Sequence, residues 1–154
     1  RSDSFYYLIP DEFGATWEYF HTMNVSVDRK WFDDGARFDE SFPDPAFEDT
    51  ELGYRLWNQG MKISLAYEAI LYHVHHFTFE EYCEKSIMRG KSARRFCDLY
   101  PELRERIISE YRAHRDRLYG VKGFVKNALG YYDDLQKMEA SIAEAFLTGY
   151  NSQR

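Results

Sequence analysis

Asp44-Pro45-Ala46-Phe47-Glu48-Asp49-Thr50-Glu51-Leu52-Gly53-Tyr54-Arg55-Leu56-Trp57-Asn58-Gln59-Gly60 is the stretch on which the reading of the fold turns. Asp44 suits a helix N-cap and Pro45 the first helical position, where its missing N–H is no loss. The spacing predicts a helix to about Asn58, with Gly60 as its C-terminal stop. Short extended segments flank it. Asn24-Val25-Ser26-Val27 alternates as a strand does, residues 35–45 are loop-like, and Met61 to Ala66 and Ala69 to Val74 read as two more strands. Strands around a helix predict an α/β fold.

Beyond residue 76 the pattern becomes helical. Thr78-x-x-Glu81 is a capping-box signature, and Phe79, Cys83, Ile87, Ala93 and Cys97 recur at roughly helical spacing. Pro101 opens a second helix along Leu103, Ile107, Tyr111, His114 and Leu118, ended by Gly120. A third carries Leu135, Met138, Ile142, Ala145 and Phe146. Charge changes at the same place. Residues 1–76 hold 6 basic and 14 acidic groups, net −8, and residues 77–154 hold 14 and 12, net +2. Two domains are therefore expected: a site-bearing 1–76 and a helical extension 77–154.

Composition narrows the class. The 154 residues are 44% hydrophobic and 30% charged, an ordinary globular balance. Aromatic content is high at 18%, leaving rings for surfaces and pockets beyond a core. A net charge of −6 argues against a general nucleic-acid binder. No apolar run approaches the roughly 20 residues that span a bilayer. A cytoplasmic setting is expected. Cys83 and Cys97 fall about 21 Å apart along one helix and cannot pair.

Three clusters carry chemistry. Glu48, Asp49 and Glu51 crowd a first helical turn. They either complement the helix dipole or present a general base. Tyr72-His73-Val74-His75-His76 places His73 and His75 on one side of a strand, either as two imidazoles for a metal or as a polar strand end. Arg89-Gly90-Lys91-Ser92-Ala93-Arg94-Arg95 puts Lys91, Arg94 and Arg95 on one helix face. That face is either solvated or a contact for phosphate or an acidic membrane surface. Gly90 inside a helix suggests the close approach of another backbone or a ligand. Trp17, Trp31 and Trp57 are core residues or platforms for sugar rings. No G-x-G-x-x-G, Walker loop, G-x-S-x-G or Asp-x-Asp occurs in the sequence.

Taken in order, Met23 to Arg29, Gly35 with Phe38-Asp39-Glu40-Ser41-Phe42, Glu48-Asp49-Thr50-Glu51-Leu52-Gly53-Tyr54-Arg55-Leu56, Gly60-Met61-Lys62-Ile63 and then His73 resemble the second half of a family 2 glycosyltransferase. The resemblance covers about residues 15 to 96. It implies the GT-A fold and transfer of a sugar from a nucleotide-diphosphate sugar to a carbohydrate or other hydroxyl acceptor, with inversion. It implies Asp49 as catalytic base, Glu48 as its orienting neighbour, Asn24 near the donor sugar, and His73 as a late ligand of Mn²⁺ or Mg²⁺. Trp57 and Arg94 join the expected substrate contacts, from stacking and charge respectively. The nucleotide-binding half and its Asp-x-Asp are missing, so the chain reads as the acceptor-side half of a longer enzyme. A homodimer through the exposed half-domain surface and a peripheral membrane contact follow as expectations. Two other readings stay open: a non-catalytic helical interaction module, and a small metal-binding protein built on His73, His75 and His76.

Overall fold

The computed structural model describes residues 14–72, 74, 76–120 and 133–152. They divide into two compact units, one of residues 14–41 and 48–74, the other of 42–47 and 76–152.

In the first unit a 3₁₀ turn, Trp17–Tyr19, precedes α1, Lys30–Asp33, and α2, Glu48–Asn58. Leu52 and Leu56 stand one turn apart on α2 and bury fully with Phe20 and Met61. Val27, Trp31, Phe32, Ala36 and Ile63 close over this core. The end of α2 follows the sequence. Gly60 takes φ 96°, its N–H donates to the Trp57 carbonyl, and the Met61 N–H donates to that of Leu56. Those two bonds are a Schellman motif, and Met61 against Leu56 is its hydrophobic contact.

The start of α2 differs from expectation. Phe47 has φ 67°, a left-handed conformation that no right-handed helix passes through. A helix begun at Pro45 would break there, so α2 opens at Glu48.

The expected α/β fold with a GT-A-like mixed sheet is corrected. The described residues contain no strand, only an isolated antiparallel bridge between Ala15 and Ile63. Alternation alone makes no strand, because the ladder needs a partner. Local turns engage the amides that a ladder would use. Asn24 N–H donates to the His21 carbonyl, Met61 closes the helix end, and Ala69 and Ile70 donate to Ala66 and Glu68. Side chains that a sheet would cover stay in solvent: Ile70 is 71% exposed, Tyr72 85% and Val74 83%.

The second unit is helical, as its periodicity predicts. It contains α3, Phe79–Leu99, a 3₁₀ turn Pro101–Leu103, α4, Arg104–Tyr119, and α5, Asp134–Asn151. The Thr78 capping box forms: Glu81 N–H donates to Thr78 Oγ1 at 3.2 Å, and Thr78 N–H to Glu81 Oε2 at 2.8 Å. Asp133 and Gln136 cap α5 in the same way. Cys83 and Cys97 are both free thiols on α3. The core joins Ala93 and Cys97 to Ile108, Phe146, Leu147 and Tyr150, with Tyr111 stacked on Phe146.

Two glycines set how closely α3 and α5 pack. A Cβ built on Gly90 would lie 1.9 Å from the Phe146 carbonyl oxygen, and one on Gly149 would lie 1.8 Å from that of Ile87. The close approach expected at Gly90 is therefore that of the α5 backbone. Backbone cannot rotate away from a methyl group, so the helices would have to separate. Gly90→Ala is expected to lower stability in urea unfolding by about 1–3 kcal/mol or more, whereas exposed Glu84→Ala on the same helix stays within about 0.5 kcal/mol. Equal effects would contradict this packing.

Candidate functional site

The best-defined polar constellation lies at the N-terminus of α2, and the helix's packing explains it. A Cβ on Gly53 would fall 2.5 Å from Phe20 Cβ and 3.1 Å from the Trp17 carbonyl oxygen. Glycine thus lets segment 17–20 lie directly on the helix. Asp49 is four residues earlier and shares that face. The next residues of the segment, His21 and Thr22, therefore reach Asp49. Thr22 N–H donates to Asp49 Oδ2 at 3.3 Å, and His21 Nδ1 stands 3.7 Å from the same oxygen. Thr50 donates to Oδ1 from its N–H at 2.7 Å and its hydroxyl at 3.4 Å.

The three acids of the first turn have three environments. Glu51 is 2% exposed, and both its oxygens accept from Arg55, at 2.7 and 2.9 Å. Arg55 in turn donates to the Arg37 carbonyl, so this pair is part of the framework. Burial pushes the Asp49 carboxyl up, but His21 and the Thr22 and Thr50 amides outweigh it and hold the group below the usual aspartate range. Glu48 goes the other way. Burial raises its pKa, and the neighbouring Asp49 charge adds to the rise. Its Oε2 is buried with no hydrogen-bond partner among the described residues. Neighbouring carboxyls whose environments separate their titrations are a pattern of acid–base sites.

The sign of the pH dependence follows. Asp49 contributes stability above its unfolded pKa and loses it as pH falls through its lowered folded value. Glu48 contributes below its unfolded pKa and loses that as pH rises through its raised folded value.

The other expected site residues are dispersed. Asn24, exposed, belongs to the turn after His21, and its Nδ2 donates to the Ala69 carbonyl at 2.8 Å. Trp57 is half-buried beneath Lys62 and lies two turns, about 12 Å, beyond Asp49 along α2. Trp17 is core, edge-on to Tyr54 at 5.1 Å. Trp31 packs on the first unit's core. Arg94 belongs to the second unit, where its Nε donates to Asp98 at 2.8 Å. His73 and His75 lie outside the described residues, and His76 is exposed. No group of three or more His, Cys, Asp or Glu side chains among the described residues could hold a metal ion. His21 and Thr22 were not among the expected residues, and nothing local in sequence marks partners 28 and 27 residues away.

Comparison with protein-family models, curated proteins and solved structures finds no match. With no family match and no strand among the described residues, assignment to the family 2 glycosyltransferases, with their GT-A fold and metal site, is corrected. Among the described residues, no helix is long and apolar enough to cross a membrane.

If Gly53 sets the site, Gly53→Ala should raise the Asp49 pKa towards its ordinary value as well as destabilise the protein. Carboxyl NMR of the folded variant reads the first effect. An unchanged Asp49 titration would show that the close approach does not position the site.

Proposed function

We propose that the α2 N-terminus is the acceptor side of a group transfer in which Asp49 takes the proton from an acceptor hydroxyl. The observation that carries this reading is the geometry of two adjoining carboxyls. Asp49 is held by the Thr22 and Thr50 amides with His21 at 3.7 Å, and Glu48 has a buried Oε2 with no partner among the described residues. That geometry favours opposite protonation in the two. A base must be ionised at working pH, and Asp49 is held so. It is also half-buried, where a charge acts more strongly than in bulk water. As the acceptor O–H bond breaks and its proton passes to Asp49 Oδ, the hydroxyl oxygen bonds the donor carbon while the bond from that carbon to the diphosphate oxygen breaks, and the diphosphate leaves with that electron pair. Glu48 favours its neutral form and acts as a hydrogen-bond donor that orients the acceptor. His21 orients the Asp49 carboxylate and stabilises its charge.

The substrate class we assign is a sugar, carried on a nucleoside diphosphate and passed to a carbohydrate or other hydroxyl acceptor. It rests on the chemistry of the site, a carboxylate held by the Thr22 and Thr50 amides beside a second carboxyl with a buried oxygen, and on no family assignment. In this proposal Asn24 contacts the donor through its side-chain carbonyl, since its amide is engaged by Ala69, and Trp57 plays no part at the reacting atoms. A divalent cation would neutralise a diphosphate leaving group; among the described residues no group of three or more His, Cys, Asp or Glu could hold one, and the proton transfer itself belongs to Asp49, with Glu48 and His21 orienting. The proposed setting is cytoplasmic and peripheral to the membrane. The alternative of a non-catalytic helical interaction module draws on residues 77–154, where Tyr119 of α4 and Leu135 and Met138 of α5 are exposed apolar side chains.

The test measures nucleoside diphosphate release from a panel of nucleotide sugars with a hydroxyl acceptor present. Asp49→Asn is expected to lower kcat by about 10²–10⁴ with its circular dichroism unchanged, as for loss of a general base. Release unaffected in this variant, or no acceptor-dependent release from any donor, would contradict the proposal.

A further inference from the structure

The second unit holds a polar cluster that the Asp49 reading does not use. Arg94 and Asp98 of α3, Arg104 at the start of α4 and Tyr150 near the end of α5 converge there. Arg94 Nε donates to Asp98 Oδ1 at 2.8 Å, and Arg104 Nη2 reaches the same oxygen at only 3.7 Å. The Arg94 guanidinium also stands over the Tyr150 ring, 5.7 Å from its centre. Two guanidinium groups thus share one carboxylate, and positive charge is in excess. Two donors of the cluster, the Tyr150 hydroxyl and Arg104 Nε, are buried and have no acceptor among the described residues. Tyr150 as a whole is 5% exposed. The Cys97 thiol beside it is a weak acceptor at best. Burying donors without an acceptor is costly, and folded proteins rarely do so twice in one place.

We propose that Arg94, Arg104 and Tyr150 bind a phosphate group, as inorganic phosphate or a phosphate monoester, whose oxygens accept from the Tyr150 hydroxyl and Arg104 Nε. The two unpartnered groups, the Tyr150 hydroxyl and Arg104 Nε, are both donors, so the ligand is an acceptor. The one positive charge left in excess by Arg94 and Arg104 against Asp98 favours an anion over a lone water. The donors come from three helices, which suits a tetrahedral oxyanion better than a planar carboxylate gripped by one arginine. Burial pushes the Tyr150 phenol up to about 12, with Cys97 adding to the rise, so the hydroxyl keeps its proton at any working pH. Asp98 holds both arginines in place. Its longer contact with Arg104 is the one an incoming anion displaces. The last turn of α5 carries partial negative charge and works against the anion, which sets the affinity in a modest range. This site lies wholly in the second unit and does not depend on the role of Asp49.

Isothermal titration of the full chain with inorganic phosphate tests it, against chloride at matched ionic strength. Saturable binding is expected. Tyr150→Phe keeps the ring and removes only the hydroxyl, and it should weaken binding about tenfold, the usual effect of losing one hydrogen bond to a charged group. Arg104→Gln should weaken it at least as much. Thermal unfolding confirms that each variant is folded. A purely structural tyrosine would change the melting temperature and leave phosphate affinity alone. Vesicles of phosphatidic acid in phosphatidylcholine, compared with phosphatidylcholine alone, separate the sources. Capture by phosphatidic acid that is lost in Tyr150→Phe assigns a lipid headgroup, and phosphate binding without capture assigns a soluble phosphate ester. Absence of both, or affinity unchanged in Tyr150→Phe, overturns the proposal.

Discussion

The close approach of segment 17–20 to α2 at Gly53 is the constraint on which the first unit depends. Any side chain at 53 would meet Phe20 Cβ and the Trp17 carbonyl within normal contact distance. With glycine there, Phe20 seats beside Leu52 and Leu56, and the chain that follows is delivered to Asp49. Core packing and site geometry are therefore one event on one helix face. The alternative to that event is an aspartate at an exposed helix start, held down only by the helix dipole. A dipole contribution of about 0.3–1 kcal/mol would act on Glu48 and Asp49 in the same direction. The two shift in opposite directions, so local desolvation and hydrogen bonding decide the matter.

The glycine pair of the second unit works by the same physics. Gly90 and Gly149 each lie under a carbonyl of the facing helix, so the backbones of α3 and α5 meet where most helices meet through side chains. That leaves Ala93, Cys97 and Phe146 to fill the remaining core. Gly90 costs helix stability in isolation, as Gly does in any helix interior. The packing it permits offsets that cost, which is why a helix breaker sits in the middle of a 21-residue helix.

What could be read from sequence was local. The Thr78 box and the Gly60 stop each rest on residues within one turn and formed as expected. The helices α3 and α5 formed too, but of their expected apolar faces Phe79, Leu135 and Met138 are exposed while Ala140, Leu147 and Tyr150 bury instead. What could not be read was tertiary. Asn24 to Val27 alternates correctly but finds no ladder partner. The start of α2 moved three residues because Phe47 turns left-handed, a conformation that sequence propensity does not assign to phenylalanine. The first-turn acids were visible as a cluster, yet their separate roles were not. Glu51 is framework because Arg55 reaches it, and Asp49 is held ionised because His21 and Thr22 reach it from 28 and 27 residues away. The mixed sheet failed for the same reason, since a strand is a property of two segments and the sequence showed only one at a time.

The central claim is that one helix turn holds two neighbouring carboxyls in opposite protonation preferences. Carbon-13 NMR titration of the Glu48 and Asp49 carboxyls in the folded chain tests it most directly. The account predicts that Asp49 titrates below the ordinary aspartate value, about 3.9, and Glu48 above the ordinary glutamate value, about 4.3. Both groups titrating at their ordinary values, or Glu48 losing its proton before Asp49, would contradict it.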